Sequence, residues 1–267
     1  MELIEALIIG LIQGLTEFLP VSSSGHIELA KYMFGVEIKE GLLFTVLLHL
    51  ATALSTVIVF RKDILEIIKG VLKFQWNDET KFSWYILLSM IPAAIIGLKF
   101  EDQIDQYFID NVPLVCVMLL LTGTILYLSD RVSQTKNKLK ASSAFGIGIV
   151  QAIAILPGIS RSGSTIGSSV LMGIDRAKAA RFSFLMVIPL IFGASAKKFL
   201  DFQEAGGLTE SVKAEMGPMI LGFVAALISG IFACRWMIQL VKRSRLTWFA
   251  IYCWVVGIIC LGYYYFS

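Results

Sequence analysis

The chain has 267 residues, of which 57% are hydrophobic and 16% charged, and its mean hydropathy is +0.77. A soluble domain is about 25% charged, and a compact soluble fold of this length could not hide so much apolar surface, so lipid must be part of the solvent. The same hydrophobicity excludes disorder, and a net charge of +3, spread along the chain, gives no case for nucleic acid.

Apolar segments run over 3–20, 42–60, 84–98, 112–129, 144–156, 182–196, 218–234 and 248–266. A full span takes about 20 apolar residues. Segments 42–60, 112–129, 218–234 and 248–266 meet that length. Segments 84–98 and 182–196 are shorter and contain Pro92 and Pro189; they too are expected to span. Segments 3–20 and 144–156 each end in Leu-Pro and enter a Ser/Gly-rich stretch, so each is expected to be the first arm of a re-entrant hairpin. Their second arms are expected near 25–34 and 164–173. The first segment carries Glu2 and Glu5 and no basic residue before its apolar run, unlike a cleavable signal peptide. Cys116, Cys234, Cys253 and Cys260 lie in apolar runs without a CxxC pair and are expected to be buried small hydrophobes.

The chain repeats itself. GLIQGLTEFLPVSSSG at 10–25 matches GIVQAIAILPGISRSG at 148–163, and SMIPAAIIG at 89–97 matches LMVIPLIFG at 185–193. Basic residues gather in 61–83, 130–143 and 235–247, whereas 99–111 carries Glu101, Asp102, Asp105 and Asp110. The positive-inside rule places the three basic loops in the cytoplasm and 99–111 outside, with 197–217 outside as well. The first hairpin then dips in from outside and the second from the cytoplasm. The expected fold is an all-α polytopic membrane protein, one membrane domain over 1–267. It holds two interlocked inverted-topology repeats (about 1–130 and 144–267), six full spans and two re-entrant helical hairpins. In such folds the broken helices meet near the midplane and form the site.

The six expected spans contain no Asp, Glu, Lys or Arg; at membrane depth the exceptions are Glu17 and Arg161, one in each hairpin. An ionisable group at that depth costs several kcal/mol, on the order of the insertion scales, and marks a functional candidate; the plainer alternative is an ion pair tying the hairpins together. Gln13 and Glu17, four apart, share a helical face. Pro20 ends that helix, and Ser22, Ser23, Ser24, Gly25 and His26 lead into the next. The second hairpin repeats the device with Pro157, Gly158, Ser160, Arg161, Ser162, Gly163, Ser164 and Thr165. Serines at helix N-termini cap the free N–H groups, and such termini receive anions. Arg161 suits bidentate phosphate binding. The chemistry that fits is a multiply charged oxyanion, most simply a phosphate or pyrophosphate. Glu17 could hold a divalent cation that bridges it, or act as general acid or base. His26 could attack phosphorus or deprotonate a serine or a water. His49, in mid-span, either lines the cavity or bonds a neighbouring helix; Glu28 is expected to be solvated. Tyr263, Tyr264, Tyr265 and Phe266 read as an interfacial belt.

The stretch QGLTEFLPVSSSGH at 13–26, with LPGISRSGSTIG at 156–167 and FSFLMVIP at 182–189, resembles the bacterial undecaprenyl-pyrophosphate phosphatases, also called bacitracin resistance proteins. The resemblance covers nearly the whole chain. It implies removal of the terminal phosphate from undecaprenyl pyrophosphate, yielding the monophosphate carrier reused in cell-wall synthesis. It also implies a place in the bacterial cytoplasmic membrane with the site open to the outer side. It makes Glu17 the essential acid, tied to a divalent cation (Mg²⁺ or Ca²⁺). Ser23 and His26 become candidates for nucleophile or base, and Arg161 the pyrophosphate clamp. Gln13, Ser22, Ser24, Gly25, Ser160, Ser162, Gly163 and Thr165 are the expected substrate-binding residues. Many members have Glu where this chain has Gln13, which tells against a two-carboxylate metal site here. The partners expected are the lipid substrate and the bilayer; a homodimer is compatible with the sequence. The competing reading is a lipid-phosphate flippase or anion transporter, which needs the arginine and the helix ends but no nucleophile with its base.

Overall fold

The computed structural model describes residues 2–34, 41–108, 111–133, 135–204, 216–243 and 245–266. They form eleven helices: α1 (Leu3–Phe18), α2 (Ser23–Phe34), α3 (Gly41–Val59), α4 (Arg61–Val71), α5 (Asp78–Phe108), α6 (Val112–Asp130), α7 (Ala141–Ile153), α8 (Arg161–Leu171), α9 (Arg176–Glu204), α10 (Met216–Lys242) and α11 (Thr247–Phe266). Among the described residues the only β pairing is an isolated bridge between Asn137 and Ile174. The all-helical expectation holds. Five helices, α5, α6, α9, α10 and α11, are long and apolar enough to cross a membrane; α3 with α4, bent by 76° at Phe60, makes a sixth if the pair is one span. The protein is a multi-pass membrane protein.

Several expected loops are helical. Residues 61–71, read as loop, form α4, with Asp63 accepting a 2.6 Å hydrogen bond from Arg181 on α9. Helix α5 runs to Phe108, through the expected loop 99–111, and α9 runs to Glu204, into the expected loop 197–217; residues 109–110 and 205–215 lie outside the described residues. Pro92 and Pro189 sit inside α5 and α9 without ending them. Membrane helices tolerate proline because neighbouring helices satisfy the freed carbonyls.

The arms of the two hairpins pack across the chain. Helix α1 lies along α10, and α7 lies along α5. Both pairs run parallel: Gly10 abuts Gly222 and Gly14 abuts Ala226, while Gly148 abuts Ser89 and Gly97 faces Ile155. Helix α6 packs on α11 and α3 on α9 and α10. Small residues let membrane helices approach closely, where lipid offers no hydrophobic drive to associate. A buried core of Phe18, Leu126, Ile147, Phe182, Phe184 and Met237 joins the helices, and all four cysteines are buried thiols, as expected. At one end Asp130 accepts from Arg176 (3.2 Å) and from the Thr247 hydroxyl (2.7 Å), tying α6, α9 and α11.

Candidate active site

Helix α1 ends at Phe18 because Pro20 cannot continue it. The chain then reverses through Ser22, whose φ of +68° is the left-handed region, a conformation that costs a non-glycine residue on the order of 1 kcal/mol and clusters at functional sites. The second hairpin turns at Gly158, φ +92°, where a Cβ would lie 2.5 Å from the Val115 carbonyl oxygen, so only glycine fits. The two turns touch: a Cβ on Gly25 would lie 3.0 Å from Gly158 Cα, and one on Gly163 3.1 Å from Pro20. Two reversals that the sequence separates by more than a hundred residues therefore meet back to back.

Between them lies a cleft of about 330 Å³ lined by Glu17, Ser22, Ser23, Ser24, His49, Gln151, Ser160, Arg161, Ser162 and Lys198, among others. Its centre is the Glu17 carboxylate. Oε1 pairs with the Arg161 guanidinium from the other hairpin. Oε2 accepts from the Ser23 hydroxyl at 2.8 Å and from the Gln13 amide at 3.0 Å. The carboxylate only accepts, so the amide nitrogen of Gln13 must face it. The same nitrogen lies 3.2 Å from His49 Nδ1. That ring nitrogen lies 3.8 Å from Glu17 Oε2, so His49 sits against both. The ion pair expected of a structural tie is thus present. The same carboxylate also holds a serine hydroxyl inside a cleft, which a tie alone has no use for.

The other expected residues fall in two groups. Ser160 caps α8, its hydroxyl accepting from Gly163 N at 3.1 Å; Ser22 does the same for Gly25 N at 3.2 Å. The serine-capped helix starts are therefore real, and Ser22, Ser23, Ser24, Ser160 and Ser162 all border the cleft. Gly25, Gly163 and Thr165 do not line it. Thr165 is buried, bonded to the Arg161 carbonyl (2.8 Å) and Ser183 (2.5 Å). His26 does not line the cleft either: Nδ1 donates to the Ser22 carbonyl (2.8 Å), Nε2 accepts from the Tyr252 hydroxyl (2.8 Å), and the ring stacks on Tyr252. Both ring nitrogens are spent on holding the hairpin against α11.

Two lining residues stand out that the motifs did not assign to the site. Lys198 reaches the cleft because α9 continues as helix past the apolar run. Gln151, fully buried on α7, has neither amide atom bonded within the described chain, yet it lines the cleft. A buried amide without partners costs about 1–3 kcal/mol, so a ligand or water is its natural partner. The internal repeat, which pairs Gln13 with Gln151, was the available signal.

Residues 6–259 match the family described as Bacitracin resistance protein BacA. The chain is 54% identical over 267 residues to an undecaprenyl-diphosphatase of Christiangramia forsetii, covering 99% of each. It is 45% identical over 262 residues to one of Bacteroides fragilis (98% of each) and 38% identical over 275 residues to one of Methanobrevibacter smithii (97% of this chain, 96% of the relative). The chain belongs to the bacitracin resistance protein BacA family.

Proposed function

We propose, from that membership and the cleft, that the protein hydrolyses undecaprenyl pyrophosphate to undecaprenyl phosphate and inorganic phosphate, recycling the carrier lipid and conferring bacitracin resistance. The observation that carries the site is the Glu17 carboxylate, with the Ser23 hydroxyl on one oxygen and Arg161 on the other. Arg161 turns from Glu17 to the pyrophosphate as substrate enters, and Gln151 and Lys198 meet further phosphate oxygens. Glu17 takes the Ser23 proton as Ser23 Oγ attacks the terminal phosphorus. The Oγ–P bond forms, the bridging P–O bond breaks, and its electron pair leaves on undecaprenyl phosphate. Glu17 passes the serine proton to the departing undecaprenyl phosphate; it then takes a proton from the water that attacks phosphorus and returns it to Ser23 Oγ as the O–P bond breaks and inorganic phosphate leaves. His49, beside Gln13 and Glu17, adds its ring to the cleft wall. His26 positions the hairpin rather than the proton.

A divalent cation belongs to this proposal. Among the described residues no three His, Cys, Asp or Glu side chains gather, so there is no all-protein cage. One carboxylate with a hydroxyl beside it fits the other arrangement, a cation held by Glu17 and completed by phosphate oxygens. When bound it would neutralise charge on the pyrophosphate.

The finer topology is also proposed. Arm α1 on α10 and arm α7 on α5, both parallel, support two interlocked repeats in which α5 is equivalent to α10; the proline segments of α5 and α9 then fall on non-equivalent helices. Loop charges orient the hairpins as re-entrant, with the site facing the outer side of the cytoplasmic membrane. The flippase reading has no use for a Ser23–Glu17 hydrogen bond. Purified protein in detergent should release phosphate from undecaprenyl pyrophosphate with Mg²⁺ or Ca²⁺, less so with chelator. Glu17→Gln should lose on the order of a hundredfold or more of the rate; near-native turnover by that variant would remove Glu17 from the chemistry.

A further inference from the structure

A second cavity, of about 610 Å³, lies between α5 and α7 and is walled almost wholly by apolar side chains, among them Ile91, Ile95, Phe145 and Ile149. We propose that this groove seats the polyprenyl chain of the substrate next to its pyrophosphate, so that the lipid reaches the cleft sideways through this one seam. The proposal rests on the phosphatase reading and adds where the tail lies.

Three observations carry it. First, cleft and groove share a wall one chain thick. Gln151, Ala154 and Ile155 face the cleft, while Ala152, Ile153 and Leu156 face the groove. A molecule with a charged head and an apolar tail joined at one phosphate needs two such compartments side by side. Second, the groove follows the helix. Phe145, Ile149 and Ile153 recur every four residues on one face of α7, giving about 12 Å of continuous apolar trough that starts beside the cleft. Third, the packing of α5 on α7 loosens along the seam. Helices α5 and α7 touch closely at Ser89 and Gly148, but at Gly97 the nearest atom to a Cβ position is Ile155 Cδ1, at 4.0 Å. The Ile155 side chain it meets is itself one of the cleft's lining residues.

The groove does not attract the tail by hydrophobicity, since bilayer chains are as apolar as its walls. Its effect is orientation. It fixes the first isoprene units on one side of α7, so that the head enters past Ile155 with its terminal phosphate leading toward Ser23.

The test uses a polyprenyl pyrophosphate with a photoactivatable diazirine on its second isoprene unit, bound to the whole protein in detergent, with labelled peptides identified by mass spectrometry. Labels should fall on 91–100 and 145–156, and Ile149→Trp should reduce them at least fivefold. The same substitution should lower kcat/KM for undecaprenyl pyrophosphate relative to isopentenyl pyrophosphate at least fivefold. Ile228→Trp, on the exposed side of α10, should change neither ratio nor labelling. Labels on α10 or α11, or a ratio unmoved by Ile149→Trp, would overturn the groove. Phosphate release measured in the same preparation judges the phosphatase reading separately: no release from either substrate sinks that reading, while the labelled peptides still decide the groove.

Discussion

The two parallel seams, α1 against α10 and α5 against α7, do the same topological job with opposite packing. In the first, glycine meets glycine: a Cβ on Gly10 would lie 2.9 Å from Gly222 Cα, and one on Gly14 2.5 Å from the Ala226 carbonyl oxygen. The helices are pressed together over two turns, and from that fixed base α1 carries Glu17 into the cleft, with Gln13 bonded to it from outside the lining. In the second, contact is tight at Gly148 and Ser89, then opens into the apolar groove. The acid is thus mounted on the closed seam and the lipid entry on the open one. Under the proposed chemistry, rigidity is placed where a proton would cross the hydrogen bond between Ser23 and Glu17, whose oxygens lie 2.8 Å apart, and space where the lipid tail would pass.

Substitutions at the glycines should separate the two seams by the largest effect. Gly14→Val drives a side chain into α10 backbone and should cost about 1–3 kcal/mol or more, read as a lower unfolding temperature in detergent and lost yield. Gly97→Ala meets open space and should be neutral or stabilising by up to about 1 kcal/mol, because alanine favours helix. Equal losses at both positions would mean that the seams do not differ.

A smaller contrast separates the two glutamines. Gln13 bonds Glu17 and His49, so Gln13→Ala should cost about 1–3 kcal/mol and lower kcat as the carboxylate loses its anchor. Gln151 bonds nothing in the described chain, so Gln151→Leu should leave the unfolding temperature unchanged or raised while KM increases. A stability loss at Gln151 with no change in KM would make it a packing residue.

Much of this was legible because membrane-depth charge is rare. Glu17 and Arg161 stood alone against apolar spans, and the four-residue spacing of Gln13 and Glu17 gave their common face. Leu-Pro and the serines marked both hairpin turns, and caps formed at Ser22 and Ser160. His49 could not be placed, since a span hydrophobic on all sides has no periodicity to show which face meets the cleft. Lys198 was hidden because α9 continues as helix beyond its apolar core, where composition alone reads as loop. For His26, adjacency to the serines suggested chemistry but could not show that the first turn of α2 sets the ring against Tyr252, a partner 226 residues away. The end of the span at residue 60 was legible, but the helix that follows it was not: α4 is polar enough to read as loop, and it lies at 76° to α3 with Asp63 bonded to Arg181 of α9.

On the proposed function, two hairpins distant in sequence act on one phosphoryl group. A double-mutant cycle on phosphate release from undecaprenyl pyrophosphate, with Ser23→Ala in the first hairpin and Arg161→Lys in the second, tests it most directly. Residues that act as a unit are strongly non-additive, so the double variant should be no slower than the slower single variant within about threefold. Losses that multiply, with all three proteins folded, would mean that Ser23 and Arg161 serve separate sites.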